Sequence, residues 1–181
     1  MTGDDQWYEA AFVVGITNAL NVVADGLSAA VMPRVDPATA PRDVRETLTD
    51  IRAFYGGCGP AAGVLGGEVP APFAILAHDP AYLADVWAAV KRAFTDRQLT
   101  RRHKTALAFA VSLTTRSPFG TAFHVGELRR LGVGERGVME IIGVTQMFSS
   151  YTKIADTLQL QSDMADIAPV DRSGVPDPGT G

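Results

Sequence analysis

Residues Thr100–Gly132, TRRHKTALAFAVSLTTRSPFGTAFHVGELRRLG, read as two consecutive helices with almost no loop between them. Ser117 offers an N-cap hydroxyl, and Pro118 follows at the first helical position, where its missing N–H costs nothing. Gly132 is the natural stop of the second helix. The first helix carries Leu107, Ala110, Val111 and Leu113 among small residues and is expected to be largely buried. The second sets Ser117, Thr121 and His124 at i, i+4 and i+7, a polar stripe on a face otherwise held by Phe119, Phe123 and Leu128. A site, if the chain has one, is expected on that stripe.

Outward from this pair the chain is punctuated by helix signals. Asp79-Pro80 is a second N-cap with a first-position proline, opening a helix to about Asp96 with Leu83, Val86, Trp87, Val90 and Phe94 on one face. Pro41 opens another, in which Val44, Leu48, Ile51 and Tyr55 recur at i, i+4, i+7 and i+11. Residues 7–32 read as one long apolar helix, or two with a break near Gly26, buried either in this subunit or against another copy. Residues 32–41 form a proline-punctuated connector, and Pro70–Ala77 a short helix or turn. Beyond Gly132 a last long helix runs through Met139, Ile142, Met147, Tyr151, Ile154 and Leu158. From about Ser162 the composition turns polar and rich in Asp, Pro and Gly, which predicts disorder.

No stretch alternates in the β-branched manner of a strand, so the fold is expected to be all-α with about seven helices. The expected organisation is an N-terminal helical extension packed on the core over 1–66, a main domain over 67–161 and a tail over 162–181. The glycine-rich run 56–67 is either a connecting loop or one that covers a pocket. It carries no Gly-Lys-Ser/Thr and no GxGxxG in a strand–helix setting.

Composition narrows the function classes. The 181 residues are 46% hydrophobic and 20% charged with a net charge of −4, acids and bases interspersed, so no basic surface for nucleic acid is expected. The run Arg101-Arg102-His103-Lys104 is read as a solvated helix start. Residues 10–32 are interrupted by Asn18, Asn21, Asp25 and Gly26 and do not make a membrane span, and the acidic N-terminus has the wrong charge order for a signal peptide. The cytoplasm is the expected location. Cys58 is the single cysteine, which excludes an intrachain disulfide and a Cys-rich metal centre. It is read as a small packing residue in preference to a reactive thiol.

Four motifs carry a resemblance: P-x-P-F-x-x-L-A-x-D-P over 70–80, L-T-x-R-x-K-x-x-L-A-x-A-V-S over 99–112, S-P-F-G-T-A-F-H over 117–124 and L-R-R-L-G-V over 128–133. Together they resemble the alkylhydroperoxidase D / carboxymuconolactone decarboxylase superfamily, and Tyr151–Leu158 is similar to the segment that ends that domain's final helix. The resemblance covers about residues 70–160. It implies a compact alkylhydroperoxidase D-like helical domain assembled as a dimer, trimer or hexamer. It also implies a redox motif of glutamate, CxxC and histidine, whose positions here hold Thr105, Ser117, Gly120 and His124. Only the histidine is retained. A serine hydroxyl forms no disulfide and glycine has no side chain, so dithiol peroxidase chemistry is excluded at this place.

What the resemblance leaves is a non-redox enzyme on a small, largely apolar organic substrate, by decarboxylation, isomerisation or cyclisation. His124 would be the acid/base group and Ser117 or Thr121 hydrogen-bond donors. Phe119, Phe123, Met147, Phe148, Tyr151 and Thr105 would line the substrate pocket. With Thr105 in the acid's place no carboxylate is seen to orient the imidazole. No cofactor and no metal are expected, since His124 with the awkwardly placed Glu127 supplies too few ligands for zinc. A Ser117–His124 hydrolase pair is excluded by a separation of about 10 Å along one helix. Against the catalytic reading, Ser117 is explained by capping, Thr121 and Tyr151 by packing, His124 as a satisfied core histidine, and His78 and His103 as surface groups. The alternative is a non-catalytic small-molecule-binding or assembly protein with a degenerate active site.

Overall fold

In the computed structural model, residues 4–27, 31–56 and 68–160 are described. Seven helices occur among them and no strand: α1 (Asp4–Gly26), α2 (Arg42–Phe54), α3 (Ala71–Leu76), α4 (Pro80–Phe94), α5 (Arg101–Thr114), α6 (Pro118–Arg130) and α7 (Glu135–Thr157). The expected all-α class and helix number are met. The glycine-rich run from 57 on, Cys58 and the tail lie outside the described residues. The described residues up to Met147 belong to one compact unit and those from Phe148 to another.

Helix starts follow the sequence signals. The side chains of Asp79, Thr100 and Ser117 accept hydrogen bonds from the backbone N–H groups of Tyr82, His103 and Gly120, each satisfying a donor that the first helical turn leaves without a partner. Between α5 and α6 the chain turns through Arg116, at φ 56°, while the Ser117 N–H donates to the Ser112 carbonyl at 2.9 Å. This is a left-handed helix stop built without glycine. Gly132, at φ 81°, ends α6 in the same way, with the Val133 N–H donating to the Leu128 carbonyl.

α2 buries the face its periodicity predicts: Val44, Leu48, Ile51 and Tyr55 are all within the core. They meet Phe73, Leu83, Trp87, Val90 and Phe94 from α3 and α4, joined by Val13, Ala108 and Phe123. Trp87 is held by edge contacts to Phe54 and Phe73, with its indole N–H donating to Asp50 at 2.8 Å. A smaller cluster of Phe109, Leu128 and Val138 joins α5, α6 and the start of α7.

One helix departs from expectation. α5 buries Lys104, Thr105, Ala108, Phe109 and Ser112, while Leu107 and Leu113 are only half-buried. Polar residues can face inward because the Thr105 and Ser112 hydroxyls donate back to the Arg101 and Ala108 carbonyls, and because Lys104 donates to the Thr95 carbonyl at 2.6 Å and pairs with Glu9 at 3.2 Å. Burial tends to raise the Glu9 pKa, but the Leu99 N–H and Lys104 outweigh it and hold the carboxyl below its usual range. α1, expected to be buried either in this subunit or against another copy, buries within the chain a stripe of Val13, Thr17 and Asn21 and leaves Trp7, Tyr8 and Val22 exposed on it.

α1 nevertheless touches α3, α4, α5 and α6. Its stripe lies over the α5–α6 corner, where Asn21 donates to the hydroxyls of Ser112 (3.2 Å) and Thr115 (3.3 Å), and the Asp25 carboxylate accepts the Phe119 N–H. The contact closes on Gly120: a Cβ there would lie 2.2 Å from Asn21 Oδ1 and 2.5 Å from Ser112 Oγ. Gly120→Ala is therefore expected to destabilise the protein by about 2 kcal/mol despite alanine's higher helix propensity. Gly15→Ala, with open space at its Cβ, is expected to gain about 0.5–1 kcal/mol. Urea denaturation of both variants and of Gly120→Ala in an Asn21→Ala background checks this. The Gly120→Ala penalty should shrink by about 1 kcal/mol or more in the double variant, and a stabilised Gly120→Ala would show the contact to be absent.

Candidate functional site

α6 carries the expected polar stripe, and each member has a definable occupation. Ser117, buried, caps the helix through Gly120 at 2.8 Å, which uses its oxygen as an acceptor. Thr121 is a half-buried helix residue. Thr105, buried on α5, donates its hydroxyl to the Arg101 carbonyl and makes no charge available to an imidazole.

His124 is 7% exposed, its ring stacked on Phe94 (6.2 Å between centroids, 13°) and met edge-on by Phe123 at 5.1 Å. Among the described residues no hydrogen bond to either ring nitrogen accompanies these contacts. Burial lowers its pKa to about 3, because nothing nearby repays the lost hydration of an imidazolium. His124 is thus a neutral imidazole across the physiological range. Phe119 stacks on Phe123 at 5.6 Å, so Phe119, Phe123 and His124 do come together. Met147 is 53% exposed. Phe148 and Tyr151 are exposed residues of the second unit.

The stripe continues one turn further than the sequence reading took it. Glu127, 2% exposed, receives a two-pronged contact from Arg130 at 2.9 and 2.8 Å and a third from Arg101 at 3.3 Å. The Arg101 guanidinium lies 4.0 Å above the Phe54 ring and 5.4 Å from that of Tyr55, and its Nε is buried with no hydrogen-bond partner. Tyr55 in turn meets Phe123 edge-on at 5.0 Å. Burial raises the Tyr55 pKa, Glu127 adding to the effect and Arg101 opposing it, so the phenol stays protonated and able to donate.

Tyr55, Arg101 and Glu127 were missed as site residues. Tyr55 read as the last member of an apolar α2 face, Arg101 as part of a solvated run, and Glu127 as a misplaced ligand. The signal that could have found part of the group is the i, i+3, i+6 spacing of His124, Glu127 and Arg130 on one helix.

Two guanidiniums share one carboxylate, leaving one positive charge beside two neutral hydrogen-bonding groups and an aromatic wall. Tyr55, Phe94, Phe123, His124 and Glu127 are packed against one another in the interior, and none of them lines the described pockets. The comparisons with known proteins add no assignment. No family model, no curated protein and no solved structure matches the chain. Among the described residues no three of His, Cys, Asp and Glu gather as a metal site, and no helix is long and apolar enough to cross a membrane.

A separate apolar groove of about 650 Å³ runs between α1, α5 and the first half of α7, lined by Trp7, Ala10, Leu107, Ile141 and Val144 with His103 and Glu140. His124 does not line it. His103 is exposed beside the Thr100 hydroxyl, and exposed His78 lies 2.7 Å from the Pro33 carbonyl.

The low His124 pKa fixes a pH dependence. The unfolded chain protonates this residue near pH 6.5 and the folded one only near 3, so between those values the unfolded state binds more protons and stability falls as the pH falls. The contribution is about 2 kcal/mol lost between pH 7 and pH 5. His124→Phe should remove that part of the slope in parallel urea titrations, and equal slopes for both proteins would show the imidazole to be hydrated.

Proposed function

We propose that the chain is a degenerate, oligomeric, cytoplasmic member of the alkylhydroperoxidase D-like / carboxymuconolactone decarboxylase superfamily, acting without redox chemistry on a small, largely apolar organic molecule. The reaction classes that fit are decarboxylation, isomerisation and cyclisation, in which a shaped site and one or two hydrogen-bonding groups stabilise a developing anion. The observation that carries the reading is the convergence of Tyr55, the Arg101–Glu127–Arg130 network and His124 on one aromatic wall.

In this reading the rings of Phe94, Phe119 and Phe123 accommodate the apolar body. Arg101, whose Nε is unspent, faces the developing negative charge. Tyr55 donates a hydrogen bond to it. His124 acts as a neutral acceptor, a weak base whose proton uptake is coupled to charge neutralisation by Arg101.

The test is consumption of compounds from a metabolite extract, followed by mass spectrometry, for the wild type and for Arg101→Met, Tyr55→Phe and His124→Gln. A compound consumed by the wild type is expected to be turned over at least about 100-fold more slowly by Arg101→Met, the loss typical of removing one preorganised charge. Equal turnover by all four proteins would remove this site from the reaction.

A second reading, a non-catalytic binding or assembly protein, is favoured by the apolar groove and by the exposed Trp7, Tyr8 and Val22 along α1. If α1 is an assembly face, Trp7→Glu should lower the mass measured by light scattering toward that of the 19.2 kDa chain. An unchanged mass would turn the face over to small-molecule binding or leave it solvated.

A further inference from the structure

α7 is the least buried of the seven helices: of its 23 residues only Val138 is buried, in the cluster with Phe109 and Leu128. From Val144 on, none of its residues is buried. Other exposed apolar residues, such as Val22 on α1 and Tyr82 on α4, stand on helices that bury another face in this chain, through Val13 and Thr17 in one case and Leu83 and Trp87 in the other. The C-terminal half of α7 buries no face.

What it exposes is ordered by the helical period. Val144, Met147, Tyr151, Ile154 and Leu158 follow one another at three, four, three and four residues, and each is between 53% and 63% exposed. These are successive a and d positions of a heptad, which a helix brings to one narrow strip. Leu158 lies just past the last helical residue and keeps the turn, its N–H donating to the Ile154 carbonyl at 3.0 Å. The outward b, c and f positions hold Thr145, Gln146, Ser149, Thr152, Lys153 and Asp156. Every a and d side chain in this segment is thus apolar and every b, c and f side chain polar.

The sequence alone gives this half of the helix little support. Val144, Thr145, Thr152, Ile154 and Thr157 are β-branched and favour a helix only weakly, and helices in proteins draw most of their stability from packing an apolar face. A face with a period of 3.5 residues takes a second helix of the same period, the side chains of each entering the gaps of the other. Charge decides which helix that is. Lys153 and Asp156, the two charged residues of the segment, lie on its outward side, and the e and g positions flanking the strip hold Phe148, Ser150, Ala155 and Thr157. Two identical strips therefore meet in either direction without opposing like charges, whereas choice of a foreign helix ordinarily uses charged e and g residues. Two heptads are short for free peptides, but α7 begins as a formed helix packed through Val138, so no new nucleus is needed.

We propose that α7 pairs through Val144, Met147, Tyr151, Ile154 and Leu158 with the same helix of a second copy of this chain. The pairing rests on the oligomeric reading above and gives it a contact on α7 in place of α1.

Light scattering of the full chain over a concentration series tests this. The wild type is expected at the mass of at least two 19.2 kDa chains. Ile154→Glu and Tyr151→Glu should each weaken association at least about 100-fold, because like charges then face each other in a water-poor seam. Lys153→Glu, which places the same side chain on the outward face, should leave the mass unchanged. Mixing variants of opposite charge should restore association and show that they are folded: Ile154→Glu with Ile154→Lys for parallel helices, Ile154→Glu with Tyr151→Lys for antiparallel ones. A wild type that stays monomeric at high micromolar concentration would overturn the pairing and the oligomeric reading together. An oligomer that survives Ile154→Glu, that Lys153→Glu dissociates as readily, or that neither mixture restores would overturn the pairing alone.

Discussion

The contact of α1 with the α5–α6 corner is the constraint on which the rest of the molecule depends. Asn21 sits between Ser112, Thr115 and the bare Cα of Gly120, with Asp25 one turn on holding the Phe119 N–H. Polar groups buried this way must be satisfied or they cost more than they contribute. A slip of α1 by one residue would bring Leu20 or Val22 to the corner and leave the Ser112 and Thr115 hydroxyls without their amide. An apolar α1 would tolerate many registers on an apolar surface; a polar stripe tolerates one. The same helix also brings Glu9 to the fully buried Lys104, a second fixed point nearer the N-terminus of α1 than Asn21.

How much of this could be read from the chain divides by the range of the interactions. Helix starts at Asp79, Thr100 and Ser117 and the stop at Gly132 are local chemistry, so they were legible and their residues do what the spacing implies. The α2 face was legible because its core contacts follow one helical period. The inward face of α5 was not. Apolarity alone points to Leu107 and Leu113, but hydroxyls that return to the preceding turn and an ammonium with a partner from α1 are as easily buried. In the site, His124, Phe119 and Phe123 were legible because they lie on one helix. Tyr55 and Arg101 reach His124's neighbourhood from α2 and α5, through tertiary packing that no local spacing announces.

α5 carries both interior cation systems, Arg101 with Glu127 and Lys104 with Glu9, three residues apart and directed to different helices. Buried ion pairs return little net stability once desolvation is subtracted, but removal of one partner is severe because the other is left charged in a poorly solvated place. Such pairs act as registration marks. Here they dictate which helix lies on which side of α5. The exposed pairs Arg42–Glu46 and Arg129–Glu135 sit in water and carry no comparable information.

The two tryptophans occupy opposite extremes of this architecture. Trp87 is 3% exposed, enclosed by Phe54 and Phe73 with its N–H on Asp50, whereas Trp7 is 76% exposed at the mouth of the apolar groove. Since the chain has no others, its intrinsic emission is the sum of one solvated and one sequestered indole. Quenchers that cannot enter the core reach only the first. The protein therefore carries an unlabelled optical reporter of events at the groove together with its own internal reference for the integrity of the α2–α4 core.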